Sequence, residues 1–247
     1  MQQPEPGKTL REFARFTNRA GWIFILLALV ISLVFIYIAF DGLLKSLQGR
    51  ANPMQTLAIY IGLGGVFGLG WAAQRLFNIH ERTHQGAQGE ERVGAALESL
   101  RAKGWYVFHD LPLRSVGNID HLVIGPSGIF VVETKSHRGR ITAQGNQLLR
   151  NGKPLEKDFL KQVKAQSLAV NQLLQQRLRQ NYYVQPIVCF SDAFVQVAGS
   201  RVEHVWVLPL AWLTQSLERQ PSHLSSAQIQ MLADVIASLS FRAEGEE

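Results

Sequence analysis

Residues 118–135 read NIDHLVIGPSGIFVVETK, and this stretch specifies the centre of the fold. The turn residues Gly125–Gly128 separate two apolar runs, which predicts paired strands over Ile119–Ile124 and Ile129–Lys135. Both runs are almost continuously apolar, a pattern typical of strands that are buried on both faces. We therefore predict a β-hairpin in the interior of a sheet.

The register of this hairpin brings acidic residues together. If Ile124 faces Ile129 across the turn, Asp120 lies opposite Glu133. Side chains alternate along a strand, so Lys135 shares a face with Glu133. Like charges directly opposite each other destabilise a sheet, and a divalent metal ion between them would relieve the repulsion.

A simpler interpretation leaves the same residues without a function. Asp120 and Glu133 would be solvated charges on an open sheet face, and Lys135 would be a surface ion-pair partner of little energetic value. The apolar flanks of both strands count against this interpretation, because charges at the ends of buried strands are costly unless they are partnered.

Two uncharged segments predict membrane spans. The chain has 247 residues and a formal net charge of +6, which leaves room for one soluble domain and additional segments. Gly21–Phe40 and Ala51–Gln74 contain no charged residue, and each can cross a hydrocarbon core of about 30 Å as a helix. The first is longer than the roughly 7–15 apolar residues of a signal peptide. We predict a two-span transmembrane hairpin.

The distribution of basic residues predicts the orientation of the hairpin. Basic residues precede the first span and follow the second, at Lys8, Arg11, Arg15, Arg19, Arg75 and Arg82. The positive-inside tendency then places both termini and the soluble domain in the cytoplasm, in a multi-pass protein of the inner or plasma membrane. Gly64-x-x-x-Gly68 in the second span suits close helix packing, either within the hairpin or between copies in a homo-oligomer.

The remainder of the chain predicts a mixed α/β fold. The predicted helices are a first one from Gly89, a long one over 158–180 and a final one over 226–239, and the further strands are 105–109, 140–143, 147–150, 183–190 and 204–208. The predicted organisation is an N-terminal segment (1–20), the hairpin (21–74), a linker (75–85), a soluble domain (86–208) and a helical segment with an acidic tail (209–247). Cys189 is the single cysteine, which excludes a disulfide within the chain, and its apolar neighbours predict a buried strand residue.

One acidic residue of the first soluble helix stands out. Glu90 lies three residues before Val93 and seven before Leu97, so it projects along the apolar stripe. A favourable interaction with the helix dipole is the simpler explanation for acids at this position.

These residues stand in an order that resembles a known family. Gly89-Glu90, Ile119-Asp120-His121, Gly128–Lys135 and Gln162 together resemble the nuclease-related domain NERD, a branch of the PD-(D/E)XK restriction-endonuclease-like superfamily. The resemblance covers roughly residues 86–190. It implies an α/β fold with a restriction-endonuclease-like mixed sheet flanked by helices, preceded in this chain by the two transmembrane helices.

The resemblance also implies roles for individual residues. Asp120 and Glu133 would ligate magnesium, with manganese as the alternative, and Glu90 would complete the acidic cluster. Lys135 would position or activate the attacking water, and Gln162 would be an accessory polar residue of the catalytic set.

The charge around this set fits a polyanionic partner. Eight basic residues lie within Lys135–Lys164, against the two acids Glu156 and Asp158. Nucleic acid, with DNA favoured over RNA, is the partner that we predict. The alternatives are the solvated face of an amphipathic helix and attraction to an anionic membrane leaflet. The expected function is a membrane-anchored nuclease, and the alternative is a noncatalytic membrane-tethered module that binds nucleic acid or another partner.

Overall fold

The structure, a computed structural model, describes residues 8–49, 53–113 and 115–244. The chain divides into two compact units, one comprising Thr9–Gln85 and the other extending from Gly86 onward. The first unit contains the predicted membrane segments. The second contains every predicted site residue.

Helix α1, Lys8–Leu47, contains the first predicted span. Its segment Arg15–Lys45 has 31 residues and contains an 18-residue window with a mean hydropathy of 3.1, which is not buried within the chain. This helix is therefore long and apolar enough to cross a membrane, as the sequence predicts for Gly21–Phe40.

The second predicted span, 51–74, is not confirmed. Residues 51 and 52 lie outside the described residues, and the remainder belongs to helix α2, Pro53–Glu98. In the part of the chain that the structure describes, α1 is the one helix that meets the length and hydropathy requirements of a span. The two-pass anchor and its orientation stay predictions.

Glycine allows α1 and α2 to approach each other within the first unit. A Cβ atom at Gly62 would lie 2.1 Å from a ring atom of Phe35, so the side chain of any other residue would collide there. Cβ atoms at Gly64 and Gly68 would meet nothing within 4 Å in the described chain. The predicted Gly64-x-x-x-Gly68 surface is thus not used for this contact, and homo-oligomer formation through it stays a prediction.

The second unit alternates strands and helices after the end of α2. Its elements are β1 (Tyr106–Leu113), β2 (Gly117–Gly125), β3 (Gly128–Lys135), β4 (Gly139–Gln144), β5 (Gln147–Arg150), β6 (Lys153–Pro154), α3 (Phe159–Leu178), β7 (Val184–Phe190), β8 (Ala193–Val195), β9 (Arg201–Val202), β10 (Val205–Pro209), α4 (Leu213–Glu218) and α5 (Ser226–Glu244). This is a mixed α/β unit, as predicted.

The strands form two mixed sheets. The larger has six strands in the order β1-β2-β3-β7-β10-β9, with β3 parallel to β7 and antiparallel to β2. Ile124 is paired with Ile129, which confirms the predicted register of the hairpin. The smaller sheet has the order β6-β5-β4-β8. The sequence predicts β4 and β5 but not that they leave the main sheet.

Both faces of the larger sheet are buried. Val93 and Leu97 of α2 pack against one face with Phe130. Helices α3 and α5 cover the other face, where Val163 packs in the same core cluster as Val131. Removal of apolar surface from water on both sides explains the near-continuous apolar runs of β2 and β3.

Three local predictions need correction or refinement. The polar segment 75–85 is helical, because α2 continues through it, so the helix does not begin at Gly89. The apolar period of the predicted helix 158–180 includes Leu168, but this side chain is 57% exposed. The buried face of α3 instead includes Gln166 and Ser167, because this face lies over charged residues of β3 as well as over the apolar core.

Candidate active site

A backbone hydrogen bond anchors Asp120 beside β3. The Thr134 N–H donates to Asp120 Oδ2 at 2.7 Å. The ladder between β2 and β3 pairs residues as far as His121 with Val132, so Asp120 lies just beyond the last pair. The structure therefore brings the two predicted carboxylates, Asp120 and Glu133, to the same end of the hairpin.

Glu133 is a buried carboxylate with three side-chain donors. Its exposed fraction is 2%. Oε1 accepts hydrogen bonds from Lys135 Nζ at 2.5 Å and from Gln162 Nε2 at 2.7 Å. Oε2 accepts one from Gln166 Nε2 at 2.8 Å. Charge-assisted bonds of this kind offset the cost of removing a carboxylate from water.

Lys135 is held between Glu133 and an aromatic ring. Its ammonium nitrogen lies 4.5 Å from the ring centroid of Phe159, a cation–π distance. Phe159 is the first residue of α3, and the Asp158 side chain caps that helix by accepting a hydrogen bond from the Lys161 N–H at 2.9 Å. The cap fixes where α3 begins and thereby places Phe159 over the end of β3.

Glu90 reaches the same region from α2. A Cβ atom at the preceding Gly89 would lie 2.8 Å from Ser191 Oγ and 2.9 Å from Ser136 Cβ, so the helix approaches the ends of β3 and β7 closely. Burial, together with the charges of Asp110 and Glu133, raises the pKa of Glu90 to about 7. Glu90 is therefore electrostatically coupled to the predicted site.

The acidic residues also perturb Asp120. Burial and repulsion from Glu133 and Glu90 raise the pKa of Asp120 well above its ordinary value, although Lys135 and the Thr134 N–H oppose the change. Without a cation at this position, Asp120 therefore keeps its proton more readily than an isolated aspartate does.

An oxygen donor set of this kind fits magnesium. Magnesium commonly takes one or two carboxylates and keeps several waters, and Asp120 with Glu133 supplies two carboxylates whose repulsion a divalent cation would relieve. Within the described ranges, no group of three or more His, Cys, Asp or Glu side chains is placed to hold a metal. The predicted third ligand, Glu90, is thus not grouped with the other two as a preformed centre.

Comparison with known proteins locates a family domain on these same residues. Residues 85–191 match the nuclease-related domain, NERD. The matched segment contains all five predicted site residues, from Glu90 to Gln162.

The chain is also similar in part to a protein of another organism. An uncharacterized protein of Bacillus anthracis is 38% identical over 66 residues, which are 25% of this chain and 31% of that protein. The match thus spans about a third of the relative's length. No solved structure matches the chain significantly.

The matched segment contains further residues at the site that the sequence interpretation missed. Gln166 donates a hydrogen bond to Glu133. It lies four residues after Gln162, on the same face of the helix, so the helical repeat could have predicted its position at the site. His137 lies two residues after Lys135, and its ring centroid is 5.4 Å from that of Phe159. Nothing in the local pattern distinguishes His137 from a surface residue.

Asp110 is a third residue of the matched segment that the sequence interpretation missed. It influences the pKa of Glu90, and its Oδ1 accepts a hydrogen bond from Asn118 Nδ2 at 2.7 Å. Its φ of 48° is left-handed, which is uncommon for a residue other than glycine. The pairing of β1 with β2 brings it to the site, and that pairing is not evident from the sequence.

Two buried histidines connect β2, the strand that carries Asp120, to α2. His121 Nδ1 lies 2.8 Å from His109 Nδ1, and His109 Nε2 lies 2.8 Å from Glu98 Oε1. Burial and the neighbouring His109 hold the pKa of His121 well below its usual value, so the ring is neutral. This chain of contacts fixes the strand that carries Asp120 against α2.

Proposed function

We propose that the chain is a membrane-anchored, magnesium-dependent nuclease that hydrolyses phosphodiester bonds of nucleic acid at the cytoplasmic face. DNA is the favoured substrate. The soluble unit with the NERD domain performs the reaction, and the N-terminal apolar helix holds it at the membrane.

The main support for the proposal is the clustering of buried carboxylates at the end of β3. Glu133 is buried, forms an ion pair with Lys135, and lies beside the electrostatically strained Asp120. A fold gains no stability from concentrating carboxylates in this way, because their desolvation and mutual repulsion are unfavourable. Such an arrangement is typical of sites that bind a cation and a reacting group.

The side chains suit phosphodiester hydrolysis. When bound, magnesium would neutralise charge on the scissile phosphate and lower the pKa of a bound water. Asp120 and Glu133 would hold the ion, and Glu90 adds negative charge at the same site. Lys135 Nζ has three N–H donors, of which one is directed to Glu133, so the others can orient the attacking water and contact developing charge.

Surface charge supports a nucleic-acid substrate. Arg138, Arg140, Arg150, Lys153 and Lys157 are exposed and lie in the chain between Lys135 and the start of α3. Neutralisation of phosphates by such residues supplies most of the nonspecific affinity for nucleic acid.

The apolar helix supports a membrane location. Arg15–Lys45 is long and apolar enough to span a bilayer. Basic residues before it favour a cytoplasmic N-terminus. With the second span, 51–74, the NERD domain is on the cytoplasmic side, where nucleic acid and magnesium are available.

Cleavage by the full chain tests this proposal. The protein, purified in detergent, is incubated with supercoiled plasmid, single-stranded DNA or RNA in Mg²⁺, in Mn²⁺ or in EDTA. We expect metal-dependent cleavage of DNA that falls at least about 100-fold in Asp120→Asn and Glu133→Gln. Asp234→Asn, which removes an exposed carboxylate on α5, is the matched control and keeps wild-type activity.

The results of the cleavage assay distinguish a nuclease from a noncatalytic binding module. Activity that survives Asp120→Asn would come from another site or a contaminant and would refute the proposal. A noncatalytic nucleic-acid-binding module is the second candidate, and the hydrogen bonds that both Glu133 oxygens accept from protein donors favour it. That candidate requires metal-independent binding of nucleic acid, unaffected by Glu133→Gln, and no cleavage in any of the three conditions.

A further inference from the structure

The smaller sheet is attached to the two strands that flank the candidate site. Strand β4 follows β3 after three residues, and β8 follows β7 after two. Strands β4 and β8 pair in parallel, as β3 and β7 do. The smaller sheet therefore lies directly beyond the end of the main sheet at which Glu133 and Lys135 are found.

The β5–β6 hairpin places two basic side chains on one face of this sheet. Arg150 is paired with Lys153, so both side chains are on the same face. Arg150 is also paired with Ile141 across β4, and Ile141 is fully buried in the core cluster that contains Phe159. Arg150 and Lys153 are exposed, which places them at the rim of the face that packs on the site helix.

His137 connects this rim to Lys135. Its ring lies 5.4 Å from Phe159 and 6.3 Å from Phe190, and the ammonium group of Lys135 contacts the same Phe159 ring. Burial, followed by repulsion from Arg150 and Lys135, lowers the pKa of His137, while Glu156 opposes the change. Arg150 and Lys135 are therefore both near the His137 ring, and Lys153 is paired with Arg150 on the neighbouring strand.

The two rim residues differ from other basic residues of the soluble unit in their ion pairing. In the described part of the chain, neither Arg150 nor Lys153 forms an ion pair, whereas Arg92, Lys103 and Lys164 are each paired with a carboxylate. Two acids follow the hairpin in the chain: Asp158 is engaged as the cap of α3, and the exposed Glu156 acts electrostatically on His137. Exposed cations that are held on adjacent strands and are not ion-paired are available to an external polyanion.

We propose that the β5–β6 hairpin binds the phosphate backbone of the nucleic-acid substrate, with Arg150 and Lys153 contacting successive phosphates and His137 guiding the strand to Lys135. This inference rests on the proposed function for where the strand is cleaved. Binding of the strand by the hairpin does not itself require catalysis. It assigns the smaller sheet as the substrate-holding element of the protein.

The arrangement favours a strand over a lipid surface. The donors run from the exposed Arg150 and Lys153 to the half-buried His137 and Lys135. A flexible polyanion can contact side chains at different depths, whereas headgroups in a bilayer lie in one plane and reach the exposed residues alone. Direct side-chain contacts to phosphates bind without sequence preference.

Salt-dependent binding tests the inference. The full chain in detergent with EDTA is titrated into a fluorescein-labelled single-stranded oligonucleotide, and anisotropy is measured over a range of KCl concentrations. Arg150→Gln/Lys153→Gln should bind at least about 10-fold more weakly and reduce the slope of log K against log salt by about 1.4, the value for two lost contacts to single-stranded phosphates. The matched control is Arg177→Gln/Arg219→Gln, which removes the same charge from exposed positions outside the smaller sheet.

The salt slopes test the role of the hairpin, and the competition experiment tests the identity of the partner. Equal slopes for the two double variants would overturn the inference, whether or not the wild-type chain cleaves DNA. Poly-glutamate that competes as well as the oligonucleotide does would overturn nucleic acid as the partner. A selective loss in Arg150→Gln/Lys153→Gln supports the inference even if the cleavage assay fails, because EDTA removes catalysis from the measurement. Unchanged thermal unfolding of both variants shows that the exposed substitutions leave the fold intact.

Discussion

Glu133 and Gln166 are joined by a hydrogen bond that crosses from the central strand β3 to helix α3. Gln166 Nε2 donates to Glu133 Oε2 at 2.8 Å, and the same nitrogen donates to the Asn118 carbonyl oxygen at 3.2 Å. Gln166 is 1% exposed, so water does not replace this donor. The amide therefore helps to keep a charged carboxylate in the core.

Gln166→Leu should destabilise the soluble unit by about 1–3 kcal/mol, because one oxygen of a buried carboxylate loses its donor. Urea unfolding of the full chain in detergent measures this change. Gln172→Leu, at an exposed position of the same helix, is the control and should change stability by less than about 0.5 kcal/mol. Equal losses in both variants would contradict the assigned role of Gln166.

Lys135→Met should separate catalysis from metal binding. The substitution keeps an apolar stem against Phe159 but removes the N–H donors, so cleavage should fall about 10²- to 10⁴-fold. Binding of Mn²⁺, followed by paramagnetic relaxation, should persist because Asp120 and Glu133 remain. Lys103→Met is the charge-matched control and should cleave as the wild type does. Loss of Mn²⁺ binding in Lys135→Met would show that Lys135 has a structural role.

Glu90 should give the metal-free chain a characteristic pH dependence of stability. Burial and the charges of Asp110 and Glu133 raise the pKa of Glu90 from 4.5 to about 7. The folded state therefore holds this proton more tightly than the unfolded state does. The stabilisation is present below pH 4.5 and is lost as the pH rises through about 7.

Glu90→Gln removes this dependence, which unfolding in EDTA at several pH values can measure. The variant should be more stable than wild type at about pH 8, by on the order of 1–3 kcal/mol, and should differ little at about pH 4. Glu156→Gln, at an exposed position, is the control. Parallel pH profiles for Glu90→Gln and wild type would contradict the electrostatic coupling at the site.

Cys189 should be unreactive in the folded chain. The residue is fully buried in β7, as the sequence predicts, and burial raises the pKa of its thiol to about 12. Because the thiolate is the nucleophile, iodoacetamide at about pH 8 should alkylate the native chain at least about 100-fold more slowly than the chain in guanidinium. Mass spectrometry of the modified chain provides the measurement. Equal rates would show that β7 opens readily.

The sequence predicts the hairpin well because two local signals agree there. The Gly125–Gly128 turn defines the connection, and apolar runs on both sides fix the register, so Ile124 meets Ile129 as expected. The same register places Asp120 and Glu133 near each other. Gln162 is likewise found at Glu133, although the helix that carries it is distant in the chain.

Local sequence patterns do not predict which distant residues the fold brings to the site. Asp110 and His137 join the site through the β1–β2 pairing and through packing on Phe159. Neither residue has a periodic signal, because a single polar residue at the end of a strand resembles any solvated one. The separation of β4 and β5 into a second sheet also depends on pairing with β8, about fifty residues further along the chain.

The sequence by itself determined the hairpin, its register, the mixed α/β class and an apolar N-terminal helix. These features depend on contacts between residues close in the chain and on the spacing of buried apolar residues, and both can be read from the sequence. The tertiary structure alone decided which donors surround Glu133, how Glu90 acquires its raised pKa, and where Arg150 and Lys153 stand relative to Lys135. Burial and electrostatic coupling depend on distances between elements far apart in the chain, and those distances exist only after the helices have packed on the sheets.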